Sequence, residues 1–451
     1  TGYGRLLLMK VKQSRWKMFV VAGAAMAFVV GMVSTVPNVY AGGTIKVDDD
    51  KWISIGMGTR TSFSMSEDGS ASGAQWNNKF GVDNARIYIN GKVHKYVGFE
   101  FNTECFNCGN SGQAAGPRTS NTFGSNSGMG MLDVIGKFEI NELVNVWFGR
   151  MLVPTERGEL NGPFYHAVYD GFRTPLNPAD FSTNFGAGGA GMYGRDNGVT
   201  FFGKIHPGGT HLQYVAGLFT GTQSGPGTTA GTLGGPNLRN SLKYAGRLTW
   251  NLLNEEKNPG YYTSGTYYGT AGDILALAVG GEYQNAAAGS LANPAPFGAF
   301  TSDILFEKVF SDKGVFTFNA EYKRYWAGSL ASFTDASATA PFATNFPIFG
   351  GTSFTGYAMY LFPQEVGIGR FQPYGRYTFV NSVYQNALDE FEAGVNYVIA
   401  GHNARISTWW RHGNLSTSAS NYPGTTGFAG GVAGLAGAHQ DSFHVALQLQ
   451  Y

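Results

Sequence analysis

Along most of this chain apolar and polar residues alternate with a period of two, the spacing that puts successive side chains on opposite faces of an extended strand. In 52–66, Ile53, Ile55, Met57, Thr59, Thr61 and Phe63 share one face, and Ser54, Gly56, Gly58, Arg60 and Ser62 share the other. Residues 84–93 repeat this, with Ala85, Ile87 and Ile89 opposed by Arg86, Tyr88, Asn90 and Lys92. In 96–105, Val97, Phe99 and Phe101 oppose Gly98, Glu100, Asn102 and Glu104. The same pattern predicts strands at about 131–140, 143–151, 198–205, 210–220, 241–252, 273–284, 299–310, 314–326, 354–363, 371–381, 389–400, 403–412 and 442–451, sixteen in all.

The connections sort into two kinds. Those at 140–143, 206–209, 310–314 and 400–403 are tight, whereas 152–197, 221–240, 285–298, 327–353 and 413–441 are long and rich in Gly, Ser, Thr and Pro. Two depart from strict alternation: 253–272 is long where a short turn is due, and 382–388 is short where a long loop is due. Short turns at one end and long loops at the other are the layout of an outer-membrane barrel. In lipid no backbone polar group can go unpaired, so an all-β span closes on itself, apolar outside and polar within. Strands of about ten residues, tilted, match the bilayer. The last strand carries Phe443, Val445, Leu447, Leu449 and Tyr451 on one face and Ser442, His444, Gln448 and Gln450 on the other, and the second set would be out of place in a dry core. Aromatic residues at strand ends, Trp52, Tyr96 and Trp250 on the short-turn side and Phe101, Trp326 and Trp410 on the other, fit interfacial girdles. A soluble β-sandwich or propeller is the competing architecture. It supplies neither membrane-length strands nor the loop asymmetry, and no repeat at blade spacing is evident.

Composition agrees: 66 Gly, 15% aromatic and only 14% charged residues suit short strands joined by Gly-rich turns better than a helical enzyme. Residues 1–41 read as a secretory signal peptide and 42–451 as the barrel domain. A basic segment, Lys10–Lys17, follows the candidate start Met9, the apolar run Met18–Val33 comes next, and Val39 and Ala41 occupy small-residue cleavage positions. Residues 1–8 precede that start and need not be translated. A retained transmembrane helix is the alternative for this stretch. Without its five basic residues the chain has 26 basic against 30 acidic residues, and no basic stripe recommends nucleic acid as a partner.

Asn84-Ala-Arg-Ile-Tyr-Ile-Asn-Gly-Lys92 followed by Tyr96-Val-Gly-Phe-Glu-Phe101 resembles the opening hairpin of the phosphate-selective porin O and P family. Trp147-Phe-Gly-Arg-Met-Leu-Val-Pro154 is similar to that family's Gly-x-x-x-x-Pro strand end, which leads into its long third loop. The resemblance implies a sixteen-stranded, usually trimeric outer-membrane porin whose third loop, here 152–197, folds inward to narrow a channel for small hydrophilic solutes or anions. Its implied surroundings are outer-membrane lipid and two further copies of the chain. The fold expected is therefore all-β: a sixteen-stranded antiparallel transmembrane β-barrel with a long inward-folded third loop, preceded by a signal peptide.

Alternation assigns Arg60, Arg86, Lys92, Lys137, Lys204, Lys243, Arg247, Lys323, Arg376 and Arg405 to the lumen. Equally many acids join them: Glu100, Glu104, Asp133, Glu139, Glu282, Asp303, Glu307, Glu321, Glu390 and Glu392. Basic side chains in a narrow channel attract anions, but cross-strand pairing with these acids would merely keep the lumen wet. In the long loop Arg157, Arg173 and Arg195 face Glu156, Glu159, Asp170, Asp180 and Asp196, either as local pairs that hold its shape or as contacts for solute. On the second reading, reversing Arg157 and Arg173 to Glu moves ion preference toward cations. The constriction set is thus Arg60, Arg86, Lys137, Arg157, Arg173, Lys204, Lys243, Arg247, Arg376 and Arg405.

Cys105 and Cys108 read as a short disulfide, with a metal or redox role as the alternative, although one pair cannot complete a four-ligand zinc site. No His-x-x-x-His pair, nucleophile elbow or Walker loop is found, and Gly186–Gly191 matches Gly-x-Gly-x-x-Gly spacing without a strand before it or a helix after it. Neither catalysis nor a cofactor is implied. A barrel that sheathes a partner, such as an electron-transfer cytochrome or an export component, is the second functional reading.

Overall fold

Among the described residues seventeen antiparallel strands form one sheet, and sixteen of them close into a barrel. The computed structural model describes residues 43–68, 75–106, 128–174, 194–221, 241–289, 294–326, 350–382, 387–415 and 438–451. The expected signal peptide at 1–41, Cys108, Asp180 and the run 186–191 lie outside the described residues. In chain order the strands are β1 (Gly43–Asp48), β2 (Lys51–Ser66), β3 (Asn77–His94), β4 (Val97–Phe106), β5 (Gly128–Glu139), β6 (Asn145–Leu152), β7 (Arg195–Ile205), β8 (His211–Phe219) and β9 (Lys243–Asn251). They continue as β10 (Ile274–Gly289), β11 (Pro294–Val309), β12 (Val315–Trp326), β13 (Gly351–Leu361), β14 (Arg370–Ser382), β15 (Leu388–Val398), β16 (Ala404–Gly413) and β17 (Gln440–Gln450).

Each wall strand pairs with its sequence neighbours, and β17 closes on β2 from Ser442↔Ser66 to Gln450↔Gly58. Closure leaves the wall no unpaired edge, the condition for an all-β span in lipid. The short β1 continues alongside β2 past the end of β17, from Gly43↔Ile55 onward. It is an appendage that the sequence pattern did not predict.

All sixteen expected strands are present, with shifted ends. β10 and β11 are sixteen residues each, so most of the loop expected at 285–298 is strand. β3 begins at Asn77, ahead of the strand expected at 84–93. These strands exceed the roughly 9–11 residues a bilayer requires. The outward faces carry the apolar band, including Phe148, Leu248, Val279, Phe300 and Phe391, all more than a third exposed. Val279 lies in mid-strand between Leu248 of β9 and Ser302 of β11. Val279→Arg is expected to cost about 2–4 kcal/mol of stability in a bilayer, since it puts a cation near the midplane. Urea unfolding from lipid vesicles checks this; a wild-type midpoint would show that this face does not contact hydrocarbon.

Candidate channel constriction

Near its end β6 passes close against its neighbour β5. Gly149 has φ 133°, and a Cβ there would sit 2.1 Å from the Val134 carbonyl oxygen of the neighbouring strand, so the position requires glycine. Beyond Pro154 come two single-turn helices, α1 (Arg157–Leu160) and α2 (Gly162–Tyr165), and then an irregular run to Thr174. This inner part of the third loop crosses the barrel. Its Thr155 carbonyl accepts from Arg247 of β9 (3.0 Å) and Thr301 of β11 (2.9 Å), and its Gly158 N–H donates to Glu321 of β12 (3.0 Å). Further along, the Phe164 carbonyl accepts from Gln448 of β17 (2.8 Å), the Ala167 carbonyl from Asn396 of β15 (3.0 Å), and the Phe172 carbonyl from Thr355 of β13 and Thr378 of β14. Tyr169 donates to Asp83 of β3 (2.7 Å). An irregular loop inside a barrel needs partners for its backbone, and polar side chains of the wall supply them.

The expected cations are arranged around this loop. Arg60 donates to Asn84 (2.7 Å) and to the Tyr169 carbonyl, with its guanidinium 3.9 Å from the Tyr169 ring centroid. Arg86 pairs with Glu104 at 2.5 Å, and Lys137 pairs with Glu100. Arg157 lies between Glu256 (2.6 Å) and Asp303 (2.8 Å), and Arg247 joins the same Asp303 at 2.5 Å. Arg173 pairs with Glu390 at 2.8 Å, and Lys243 with Asp196 at 2.9 Å. Arg376 reaches the Gly171 carbonyl (2.5 Å), Glu390 and Glu392 (both 2.7 Å), while Arg405 donates to the His166 and Ala167 carbonyls at 2.8 and 2.9 Å. Lys204 sits apart, at the short-turn end, paired with Glu255.

Two features differ from the sequence reading. Arg157 pairs with the wall and with a second segment, Arg173 pairs with Glu390 of the wall while also lying beside Asp170 of its own loop, and Arg195 opens β7 and pairs with Asp133 at 2.9 Å. Cross-strand pairing was also expected to keep the lumen wet, yet Arg157, Lys243, Lys323, Arg376 and Arg405 are fully buried. The loop itself dries them, and buried charges of this kind persist only when paired. Sequence reasoning missed Arg411, which pairs with Asp170 at 2.5 Å and Glu392 at 2.8 Å. Its place one pleat from Trp410 on β16 carried the signal.

Local electrostatics agree with a loop seated by charge. Burial opposes ionisation of Asp170, but Arg411 and Arg173 beside it hold its carboxyl well below the usual carboxylate range. Burial, helped by the charges of Arg60 and Arg405, lowers His166 to about 3, so it stays neutral. Burial next to Glu156 pushes the Glu159 carboxyl well above its ordinary value, so it holds a proton where a second negative charge would repel its neighbour.

The connection that broke the alternation, 252–273, also turns inward, from the opposite end. Its Tyr261 donates to the Leu152 carbonyl at 2.9 Å and packs on Trp147 of β6, with centroids 5.2 Å apart. Its Glu256 is one of the two carboxylates on Arg157. Thr266 donates to Glu307 of β11 at 2.7 Å, and Tyr357 of β13 donates to the Gly265 carbonyl at 2.8 Å. At the short-turn end a cavity of about 650 Å³ opens beside it, lined in part by Lys257, Tyr267, Lys313, Arg370 and His402. Lys257, Lys313 and Arg370 have no ion pair among the described residues, unlike the cations at the loop.

A closed sixteen-stranded wall, an apolar exterior and a third loop folded through a charged interior together define the porin fold. The anion-selective porin from Comamonas acidovorans is similar over 88% of this chain and 99% of its own, with a TM-score of 0.51 and 13% identity. The outer-membrane channel DcaP of Acinetobacter baumannii (91% of this chain, 100% of its own, TM-score 0.45, 11% identity) and Salmonella typhi OmpF in complex with daunomycin (91%, 100%, 0.47 and 10%) are also found. At such identities the likeness is one of fold. No sequence-family profile and no curated protein matches the chain.

Proposed function

We propose that the protein is a bacterial outer-membrane channel for passive diffusion of small hydrophilic solutes and ions, weakly anion-preferring and homotrimeric. One observation carries this reading: residues 153–174 cross the interior and are held by side chains from β9 round to β17 and on to β3, which suits an aperture of fixed size. Loop and wall pairs nearly balance in sign, so size selection dominates and charge selection is modest. Phosphate-type specificity rests on the short motifs of β3, β4 and β6 alone. The anion preference finds support in the printed selectivity of the Comamonas porin and in Lys257, Lys313 and Arg370 at the short-turn mouth, which outnumber the one carboxylate lining it, Glu365, and concentrate anions there. A sheath around a partner protein is disfavoured, because the chain's own loop fills the space such a partner would need. Planar-bilayer recordings test the proposal: the purified chain should conduct by itself, and silence would sink it. Neutralising the mouth with Lys257→Gln, Lys313→Gln and Arg370→Gln is expected to lower the chloride-to-potassium permeability ratio about twofold. An unchanged reversal potential in a salt gradient would count against the mouth as its source.

A further inference from the structure

Short-turn connections in such a barrel need only a few residues, yet 252–273 is long and enters the lumen. Leu252 donates to the Leu275 carbonyl and Asn254 to the Asp273 carbonyl, so the β9–β10 ladder runs to Asn254 before the chain turns inward. From there it meets the third loop end to end. Thr263 N–H donates to the Leu160 carbonyl (3.3 Å) and Gly265 N–H to the Tyr165 carbonyl (2.8 Å). Thr263 Oγ1 donates to Asn161 Oδ1 at 2.7 Å, and Arg157 donates to the Ser264 carbonyl at 3.2 Å besides gripping Glu256 with both terminal nitrogens. The far side of the segment reaches the β15–β16 turn, where Ser264 and the Thr266 carbonyl lie 3.0 and 2.9 Å from His402 Nε2.

We propose that residues 255–271 are a second constriction element, inserted from the short-turn end, and that the aperture of the channel is set where this segment abuts the third loop. Solute arriving at the short-turn mouth then meets the segment before it reaches the third loop, and the cavity of about 650 Å³ on that face is the antechamber. The backbone joints at Leu160 and Tyr165 make the two insertions move as one body, so displacing either widens the path. This rests on the channel reading, and the following measurements separate the two.

The first variant replaces 256–271 by Asn-Gly, a two-residue turn that closes the existing Leu252–Asn254 and Asp273–Leu275 ladder directly. Its single-channel conductance is expected to rise at least about threefold over wild type, with the third loop intact. The second keeps the whole chain: Asn258→Cys lines the antechamber, and a bulky methanethiosulfonate reagent added from the short-turn side should cut conductance by about half or more. Wild-type conductance in the shortened, refolded barrel, or insensitivity of Asn258→Cys once mass measurement confirms modification, overturns the second constriction while leaving the channel standing. A wild-type protein that never conducts overturns both.

Discussion

Arg157→Ala is expected to raise single-channel conductance several-fold and to make the open current noisy. Arg157 is fully buried in α1, and its guanidinium spans Glu256 and Asp303 at 2.6 and 2.8 Å. Removing it leaves Glu256 with hydrogen bonds such as that from Tyr267 (2.9 Å) but without its guanidinium. Among the described residues, Asp303 keeps Arg247 as its one cationic partner. Breaking a buried pair from one side costs about 3–5 kcal/mol, because the stranded carboxylate must find water. Water is reached most readily by moving the loop, which is the least regular part of the interior. Arg157→Lys should fall between wild type and Arg157→Ala, since an ammonium is a single point of charge and cannot make the forked contact to both acids. For Arg157→Glu the repulsion from Glu256 and Asp303 acts on the loop's position first, so widening precedes any change of ion preference. Single-channel recording of the three variants checks the order; wild-type conductance and noise in Arg157→Ala would show that this side chain does not hold the aperture.

The wall was legible in the sequence because its rule is local. Alternation at Ile53, Ile55 and Met57 against Ser54, Gly56 and Arg60 needs no knowledge of the partner strand, and barrel closure follows from the absence of a solvated edge. Strand ends were less legible. Between Gln284 and Phe297 the residues Ala286, Ala287, Ala288 and Gly289 have little contrast between faces, so periodicity could not show that β10 continues past Gln284. The constriction was partly legible: a long loop after Pro154 with several Arg and acids was visible, but the partners were not. Arg157 lies 99 residues from Glu256 and 146 from Asp303, separations that no local pattern encodes. The misfit of 253–272 with the alternation of loop lengths was a sequence signal of the second insertion. Its Tyr261, Tyr262, Tyr267 and Tyr268, too many aromatics for a solvated turn, carried the same message.

Trp147→Ala is expected to lower the stability of the folded barrel by about 3–5 kcal/mol, the usual cost of removing a buried indole. Trp147 is fully buried on the inner face of β6, in a dry cluster with Ile135, Met151, Leu160, Phe202, Val215 and Tyr261. It is the shared neighbour of Phe202, Tyr261 and Tyr262, with ring centroids 5.0, 5.2 and 5.3 Å away, and Lys137 Nζ lies 4.3 Å from its centroid. The fit extends to the backbone: Gly260 has φ 56°, and a Cβ there would lie 2.2 Å from the indole. One side chain thus fastens the wall, the root of the third loop and the segment 252–273 together. Its loss therefore acts on two measurements at once. Conversion of the folded barrel to the unfolded chain on heating in SDS should occur at lower temperature, and conductance should rise as Tyr261 and Tyr262 lose their seat. Trp147→Phe keeps the ring contacts with Phe202 and Tyr261 in part and should sit near wild type in conductance while losing a smaller share of stability. A Trp147→Ala barrel that converts at the wild-type temperature and conducts as wild type would mean that the cluster is held by Leu160, Phe202 and Phe219 without the indole.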